Sequence, residues 1–299
     1  MKLATTTGDF FSYTHSQTAS LKHIRDAGFK YADYNFGCDS QNRTGVYSDD
    51  CLSYFKEVRQ AANTIGIKLV QAHAPMGKPF LEEGDKLIAD TIRCIEACAE
   101  WEIPNLVVHS GYAYGLTVEE NFEQNKRFFT PLLECAEKYG VCILVENFNK
   151  MYKEGVYWID NAPDLLRLIE YIDHPLFQAV WDVGHANLQD MPQDEALKIL
   201  GDHVRALHVQ DNMGVKDQHL CPFFGTTNLD SVIAGLKDIN YNGYFTFEVG
   251  GVFTPAAKRR EFDRDTRLLS PPIELKDSFE AFLYTLGKTV LEKYDCFEE

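Results

Sequence analysis

The stretch His203–Gly225, with the sequence HVRALHVQDNMGVKDQHLCPFFG, contains the pattern that decides the fold. It begins as an apolar strand, but His208 lies within that strand, and the loop after it contains Asp217 and His219. An ionisable side chain in a strand that is covered on both faces needs a partner that makes its burial tolerable. The stretch therefore predicts a functional site at the end of a buried parallel strand.

Three further apolar segments share this pattern of a strand that ends in an ionisable side chain. They are VCILVENF with Glu146, QAVWDVGH with Asp182 and His185, and YFTFEVGG with Glu248. A single segment of this kind carries little meaning, but four of them require a shared cause. We therefore expect the four strand ends to lie together.

Strand-like and helix-like segments alternate along the whole chain. The other strand-like segments are KLATTT, FKYADYNF, IKLVQAHAP and NLVVHSGY. Helices are predicted at 20–28, 50–66, 82–101, 118–139 and 163–172, after Pro192, and at 229–239 and 278–294. Eight strand–helix units predict an α/β protein, a single (β/α)8 TIM barrel domain that covers residues 1–299.

Two loops are expected to be longer than the others. One covers 35–48 after strand two, and the second covers about 250–272 after strand eight. The second loop contains the charged segment KRREFDRDTR. Loops of this length at the active face of a barrel are typical of lids or subunit contacts. The charged segment is interpreted as a solvated or interface segment, with phosphate binding as the alternative.

Composition and charge argue against several classes of function. A hydrophobic content of 45% and a charged content of 25% are typical of a globular protein with a large core. The formal net charge of -16 argues against nucleic acids and other polyanions as partners. No segment predicts a signal peptide or a membrane span, so we expect a cytoplasmic protein. The eight cysteines contain no CxxC pair and are expected to be free thiols.

The ionisable strand ends predict a metal site. Four of them follow strands five to eight, which are neighbours around the ring: Glu146, Asp182, His208 and Glu248. The strand ends of a barrel converge on one mouth. Three carboxylates packed together repel one another unless a cation lies among them, and carboxylate oxygens with one imidazole suit Mn, Co, Zn or Mg. The sequence therefore predicts one divalent metal ion, with Mn²⁺ as the first choice.

Further polar side chains fall near the same mouth. Two end strands three and four, one follows Asp182, and two lie in the loop after strand seven: His73, His109, His185, Asp217 and His219. They are expected either to bind substrate hydroxyls or to extend the metal set, and the sequence leaves both alternatives open.

In order and spacing, these motifs resemble the xylose isomerase-like barrel superfamily of sugar phosphate isomerases and epimerases, which shares its fold with endonuclease IV. The resemblance extends from HAP at His73, through VVHSG, LVEN and WDVGH, to the HVQDN and KDQH motifs and FEVGG. Similarity to its ketose 3-epimerases implies that the four strand-end residues hold the metal and that Glu146 and Glu248 also exchange the substrate proton. It further implies that His185 contacts the substrate.

The resemblance to endonuclease IV implies a second reading of the same residues. That enzyme carries a larger ligand set for three zinc ions, and its ligand types match His73, His109, Glu146, Asp182, His185, His208, Asp217, His219 and Glu248. The ligands alone do not decide between the reactions, but an enzyme that grips DNA is expected to present a basic face. One departure is Pro222-Phe223-Phe224-Gly225, because relatives often have glycine directly after the proline. The two phenylalanines are expected to stack on a substrate or to pack.

These observations predict a metal-dependent isomerase or epimerase that acts on a ketose or related sugar, phosphorylated or not. Glutamates would move a proton through a metal-stabilised enediolate. Two other functions remain open, which are metal-dependent phosphodiester hydrolysis and sugar binding without turnover. The expected partners are a small sugar and further copies of the chain in a dimer or tetramer, with no nucleic acid and no membrane.

Overall fold

The computed structural model describes residues 1–81, 83–149, 158–253 and 271–299, and these contain a barrel of parallel strands. The strands are β1 (Lys2–Thr6), β2 (Tyr31–Asn35), β3 (Lys68–His73), β4 (Asn105–Val108), β5 (Cys142–Glu146), β6 (Phe177–Asp182), β7 (Val204–His208) and β8 (Tyr244–Phe247). Each strand from β1 to β6 pairs with the next in sequence, and β1 also pairs with β8. The backbone N–H of Val209 donates to Thr246 O at 2.8 Å, which joins β7 to β8. The predicted (β/α)8 barrel is confirmed.

Helices surround this barrel. They are α1 (Gly8–Thr14), α2 (Gln17–Asp26), α3 (Phe36–Asn42), α4 (Cys51–Ile65), α5 (Gly84–Glu100), α6 (Val118–Tyr139), α7 (Ala162–Ile172), α8 (Val183–Ala186), α9 (Gln193–Leu200), α10 (Leu229–Asp238) and α11 (Ile273–Lys293). Local signals set their ends: α6 begins at a capping box of Thr117 and Glu120 and ends at Gly140 in the left-handed region. In the described parts of the chain, none of the helices has the length and apolar character that a membrane crossing requires.

Two predicted segments differ from the structure. The segment 35–48 is not an irregular loop, because it contains α3 and a short 3-10 helix at Gly45–Tyr47. Phe36 anchors α3, since its buried ring packs 4.8 Å from that of Tyr34 and stacks on Trp101 at 5.8 Å. Helix α1 was also not predicted. The loop predicted at about 250–272 falls largely on residues 254–270, which lie outside the described residues, and the assignment of the chain to one domain stays a prediction.

The barrel interior changes character along the strands. An apolar layer is formed by Val107, Leu144, Val180 and Ala206. Side chains alternate between the two faces of a strand, so the residue two positions further along points to the same face. At that spacing the chain has His109, Glu146, Asp182 and His208. The apolar layer therefore supports a layer of ionisable side chains at the mouth of the barrel.

A buried ionic cluster ties the end of β1 to α11. Lys276 is fully buried, and its Nζ lies 3.4 Å from Asp9 Oδ2 and 3.5 Å from Glu280 Oε2. Thr5 donates a hydrogen bond to Glu280 at 2.6 Å. Burial raises the pKa of Asp9 and raises that of Glu280 to about 7, although the charge of Lys276 opposes both shifts. The lysine is therefore the counter-charge that makes the two buried acids tolerable.

Replacement of this lysine is expected to destabilise the barrel. We predict that Lys276→Met lowers the free energy of unfolding by about 3–5 kcal/mol, because both acids lose their counter-charge. The loss should be larger at pH 8 than at pH 5. Acids whose pKa is raised on folding are protonated and neutral at the lower pH, whereas at the higher pH they must be buried as anions. Urea unfolding at both pH values measures this difference.

Lys288→Met is the matched control, because Lys288 lies on the same helix but is exposed, and its partners are Glu292 at 3.8 Å and the ring of Phe297 at 5.5 Å. Its effect should stay within about 0.5 kcal/mol. Equal stability losses in the two variants would contradict a special role for Lys276.

Candidate functional site

A cavity of about 280 Å³ opens at the mouth of the barrel. The predicted site residues that line it are His73, His109, Glu146, His185, Asp217, His219 and Glu248. Two further predicted residues are buried behind these: His208 Nδ1 lies 2.7 Å from Glu146 Oε1, and Asp182 Oδ2 lies 3.6 Å from His185 Nδ1. The structure therefore brings all nine predicted site residues into one connected group.

Glu146, the last residue of β5, lies at the centre of this group. Its Oε2 atom is 2.7 Å from His109 Nε2 and 3.5 Å from His73 Nε2, and its Oε1 atom is 2.7 Å from His208 Nδ1. Burial would raise the pKa of this carboxyl, but the charge of His208 and the hydrogen bonds from His109 and His208 hold the pKa well below its usual range. Glu146 is therefore fixed as a carboxylate by imidazoles from three strands.

The turn after β6 places a second carboxylate. The sequence pattern extends this strand through His185, but β6 ends at Asp182 because its Oδ1 accepts the backbone N–H of His185 at 2.7 Å and caps α8. Asn147 O lies 2.9 Å from His185 Nδ1 and fixes that ring. A Cβ atom on Gly184 would lie 2.1 Å from the amide carbon of Gln210, so only glycine allows this close approach. The WDVGH motif thus sets the positions of both the acid and the histidine.

Four of these residues could hold a metal ion. Donor atoms of Glu146, Asp182, His208 and Glu248 all lie within 4.8 Å of one another. Asp182 Oδ2 is buried and has no hydrogen-bond partner in the described chain, which is unusual for a buried acid. Burial raises the pKa of Asp182 to about 6, and the charges of Glu146 and Glu248 add to the rise. This donor set of three carboxylates and one imidazole fits a divalent ion, and the ligand roles stay a prediction.

A second group of possible ligands lies beside the first. Asp217 Oδ2 is 3.2 Å from His185 Nε2, and its Oδ1 is 3.3 Å from His219 Nε2. Burial lowers the pKa of both histidines, but Asp217 and other nearby carboxylates outweigh it and raise the pKa of His185 to about 9 and that of His219 to about 10. Donor atoms of these three residues also lie within 4.8 Å of one another. The geometry therefore leaves both predicted roles open, a substrate shell or an extended metal set.

The loop after β7 is folded around Asp211. Its carboxylate accepts the backbone N–H groups of Asn212 at 2.8 Å, Gly225 at 2.8 Å and Thr227 at 3.0 Å. These bonds form a frame for the part of the loop that contains Asp217 and His219. Phe223 and Phe224 project from the loop with exposures of 67% and 66%, and neither lines the cavity. The exposure of the two rings therefore argues against the packing alternative, and stacking on a substrate stays a prediction.

Other residues of the site were not predicted from the sequence. Helix α3 and the residue before it contribute neutral groups to the cavity wall, namely Asn35, Gly37, Cys38, Ser40 and Gln41. Gln210 donates to Asp182 at 3.3 Å and to Asp217 at 3.0 Å, which links the two ligand groups. Asp33 lies 3.8 Å from His208 Nε2. Asp33 had a usable signal, because it is an ionisable residue within the apolar segment FKYADYNF, whereas the α3 residues depend on tertiary packing.

Comparisons with known proteins match most of the chain. The family model for the xylose isomerase-like TIM barrel matches residues 21–265. An uncharacterized protein of Methanocaldococcus jannaschii is 30% identical over 243 residues, which are 78% of this chain and 79% of that protein. Fructoselysine 3-epimerase of Escherichia coli O157:H7 is 30% identical over 118 residues, which are 40% of this chain and 42% of that enzyme. The structure of 3-keto-D-glucoside 4-epimerase from E. coli shares the fold, with a TM-score of 0.70, 20% identity and coverage of 95% of this chain and 99% of that chain.

Metal titration tests the four-residue group. We predict that Mn²⁺ raises the melting temperature of the protein, because an ion that binds only the folded state stabilises it. Loss of a residue that only supports a metal ligand typically weakens metal binding by about 10- to 100-fold, and Asp182→Asn should weaken Mn²⁺ binding by more than this. Calorimetric titration measures the affinity. Asp190→Asn, the same change at an exposed acid of the segment that follows, should bind like the wild type, and unchanged binding by Asp182→Asn would rule out this residue as a ligand.

Proposed function

Because the chain belongs to the xylose isomerase-like TIM barrel family, we propose that it is a divalent-metal-dependent sugar isomerase or epimerase. The observation that carries this proposal is the placement of two glutamates. Glu146 and Glu248 both line the cavity, and their carboxylates lie 2.7 and 3.6 Å from the same atom, His208 Nδ1. The partial similarity to a fructoselysine 3-epimerase supports a sugar as the substrate.

The two glutamates divide the proton transfer between them. One removes the proton from the carbon next to the ketose carbonyl, and the other returns a proton from the opposite face, which inverts that carbon. Return on the same face to the adjacent carbon would instead interconvert an aldose and a ketose. Glu146, Asp182, His208 and Glu248 would hold the metal, for which their oxygen-rich set favours Mn²⁺, and the bound ion would supply positive charge that stabilises an enediolate.

The other residues of the cavity suit a neutral polyhydroxy substrate. His73, His109 and His185 line it beside Asp217 and His219, and all of these can donate to or accept from hydroxyl groups. Among the described lining residues there is no lysine or arginine, whereas three are carboxylates. Lysine and arginine are the side chains that most often bind a phosphate group, so we propose an unphosphorylated sugar as the substrate. Assembly into a dimer or tetramer stays a prediction.

Phosphodiester hydrolysis is the second candidate function, because His185, Asp217 and His219 could hold an additional ion. Two or three adjacent ions are suited to hydrolysis of a phosphodiester. The formal net charge of -16 argues against it, since the chain would repel a nucleic acid backbone.

Solvent deuterium uptake tests the proposed roles of the glutamates. We predict that Glu146→Gln and Glu248→Gln each lower deuterium incorporation into a converted ketose by about 100- to 10,000-fold, because an amide cannot accept the proton. Proton NMR of a panel of unphosphorylated ketoses in D₂O measures incorporation and identifies the product as an epimer or an aldose.

The exposed residue Glu170 on α7 gives the control variant Glu170→Gln, which should exchange at the wild-type rate. A folded Gln variant of either glutamate with normal exchange would remove that residue from the mechanism.

The metal count separates the candidate functions. We predict about one divalent ion per chain by elemental analysis, together with proton exchange and no nicking of DNA. Two or three zinc ions per chain together with nicking would favour hydrolysis instead. Full metal occupancy without exchange from any sugar would favour a binding protein.

A further inference from the structure

Asp33 is a buried acid that the mechanism above does not use. It lies in the middle of β2 with 2% exposure, and neither of its carboxylate oxygens has a hydrogen-bond partner in the described chain. A buried carboxylate without partners is strongly unfavourable compared with a neutral side chain of similar size. Packing alone therefore does not account for an acid at this position.

The side chain points into the barrel, directly below the mouth. Asp33 is aligned with Gln71 of β3, and Gln71 accepts a hydrogen bond from Thr246 of β8 at 3.3 Å. Strands β3 and β8 are separated by β2 and β1 in the sheet, so side chains of these strands can meet only across the barrel interior. Asp33 therefore belongs to an interior polar layer below the carboxylates of the site.

His208 lies between this layer and the site. Its Nε2 atom is 3.8 Å from Asp33 Oδ2, whereas its Nδ1 atom is 2.7 Å from Glu146 Oε1 and 3.6 Å from Glu248 Oε2. The two ring nitrogens thus face in different directions. Nδ1 faces the carboxylates proposed to hold the metal, and Nε2 faces Asp33.

We propose that Asp33 is a positioning residue that keeps the ring proton of His208 on Nε2 and so leaves the lone pair of Nδ1 free for the metal. A neutral imidazole carries one proton, and the nitrogen that binds a metal must be the one without it. Without a carboxylate below the ring, the proton is drawn to Nδ1, where Glu146 accepts it. An outer carboxylate that receives the N–H of a ligating histidine fixes its tautomer and orientation and strengthens it as a ligand.

This inference rests on the metal site of the proposed function, but not on the identity of the sugar or the reaction. A proton on His208 Nε2 would also give the buried carboxylate of Asp33 a hydrogen-bond donor. The 3.8 Å separation is longer than a hydrogen bond, and a proton fixed on Nε2 provides the donor that allows the pair to close.

The first test is metal affinity. Asp33→Asn is expected to weaken binding of Co²⁺, measured by calorimetry and by visible absorption of the bound ion, by about 10- to 100-fold. Gln71→Met is the matched control, because it removes a polar group from the same interior layer at similar volume. It should leave the affinity within about twofold of the wild type. Thermal unfolding of both variants verifies that each is folded, and an Asp33→Asn protein with wild-type affinity would overturn the proposal.

The second test observes the tautomer directly and does not depend on the stability of a variant. In the Zn²⁺-loaded wild-type protein labelled with ¹⁵N-histidine, the His208 signals are assigned by their loss in His208→Asn. They should show Nδ1 bound to zinc and Nε2 carrying a slowly exchanging proton. Zinc on Nε2 would overturn the assignment.

The two tests also separate this inference from the proposed function. Failure of the wild type to bind any metal would reject the metal site and this inference together. Normal metal binding with no dependence on Asp33 would reject this inference alone.

Discussion

The mutual repulsion of carboxylates at one end of the barrel is the constraint on which the rest of the site depends. Glu146, Asp182 and Glu248 lie within a few ångströms of one another, and two of the three are almost completely buried. Such a group is tolerable only if positive charge compensates it. Histidines meet part of this need at Glu146, whereas Asp182 retains a buried oxygen without a hydrogen-bond partner in the described residues. The arrangement is therefore one that a bound cation would stabilise.

The barrel supplies the rigidity that this charge density requires. On β4 to β8, the ionisable residue at the end of each strand follows an inward side chain that is apolar or neutral. Val107 precedes His109 on β4, and Leu144 precedes Glu146 on β5. Backbone contacts complete the support: Asp182 caps α8, and Asp211 binds three N–H groups of the next loop. Like charges are thus held together by strand pairing and caps rather than by attraction among themselves.

Sequence reasoning could find the barrel and the group of ionisable strand ends because both depend on local patterns. An apolar strand that ends in Glu146 or Asp182 is visible without a structure, and the strand order then places the ends together. Helix α3 was missed because Phe36 is anchored by the ring of Trp101, which is distant in sequence. The end of β6 was misplaced because the strand-like pattern continues past Asp182, whose cap on the backbone N–H of His185 ends the strand in the structure. Nor could a pattern decide what His185, Asp217 and His219 do, since the same geometry suits hydroxyl groups and a metal.

The two proposed catalytic carboxylates have unequal surroundings, which separates their roles. Glu146 is 1% exposed and contacts three imidazoles, whereas Glu248 is 22% exposed and lies just beyond β8. A carboxylate fixed by several hydrogen bonds moves little and defines one face of the substrate. A more accessible carboxylate can exchange its proton with solvent between turnovers, so we infer that Glu248 gives the faster route for solvent hydrogen. We also infer that a neutral sugar suits the site better than a phosphodiester, because a chain with a formal net charge of -16 would repel a nucleic acid backbone but not an uncharged polyol.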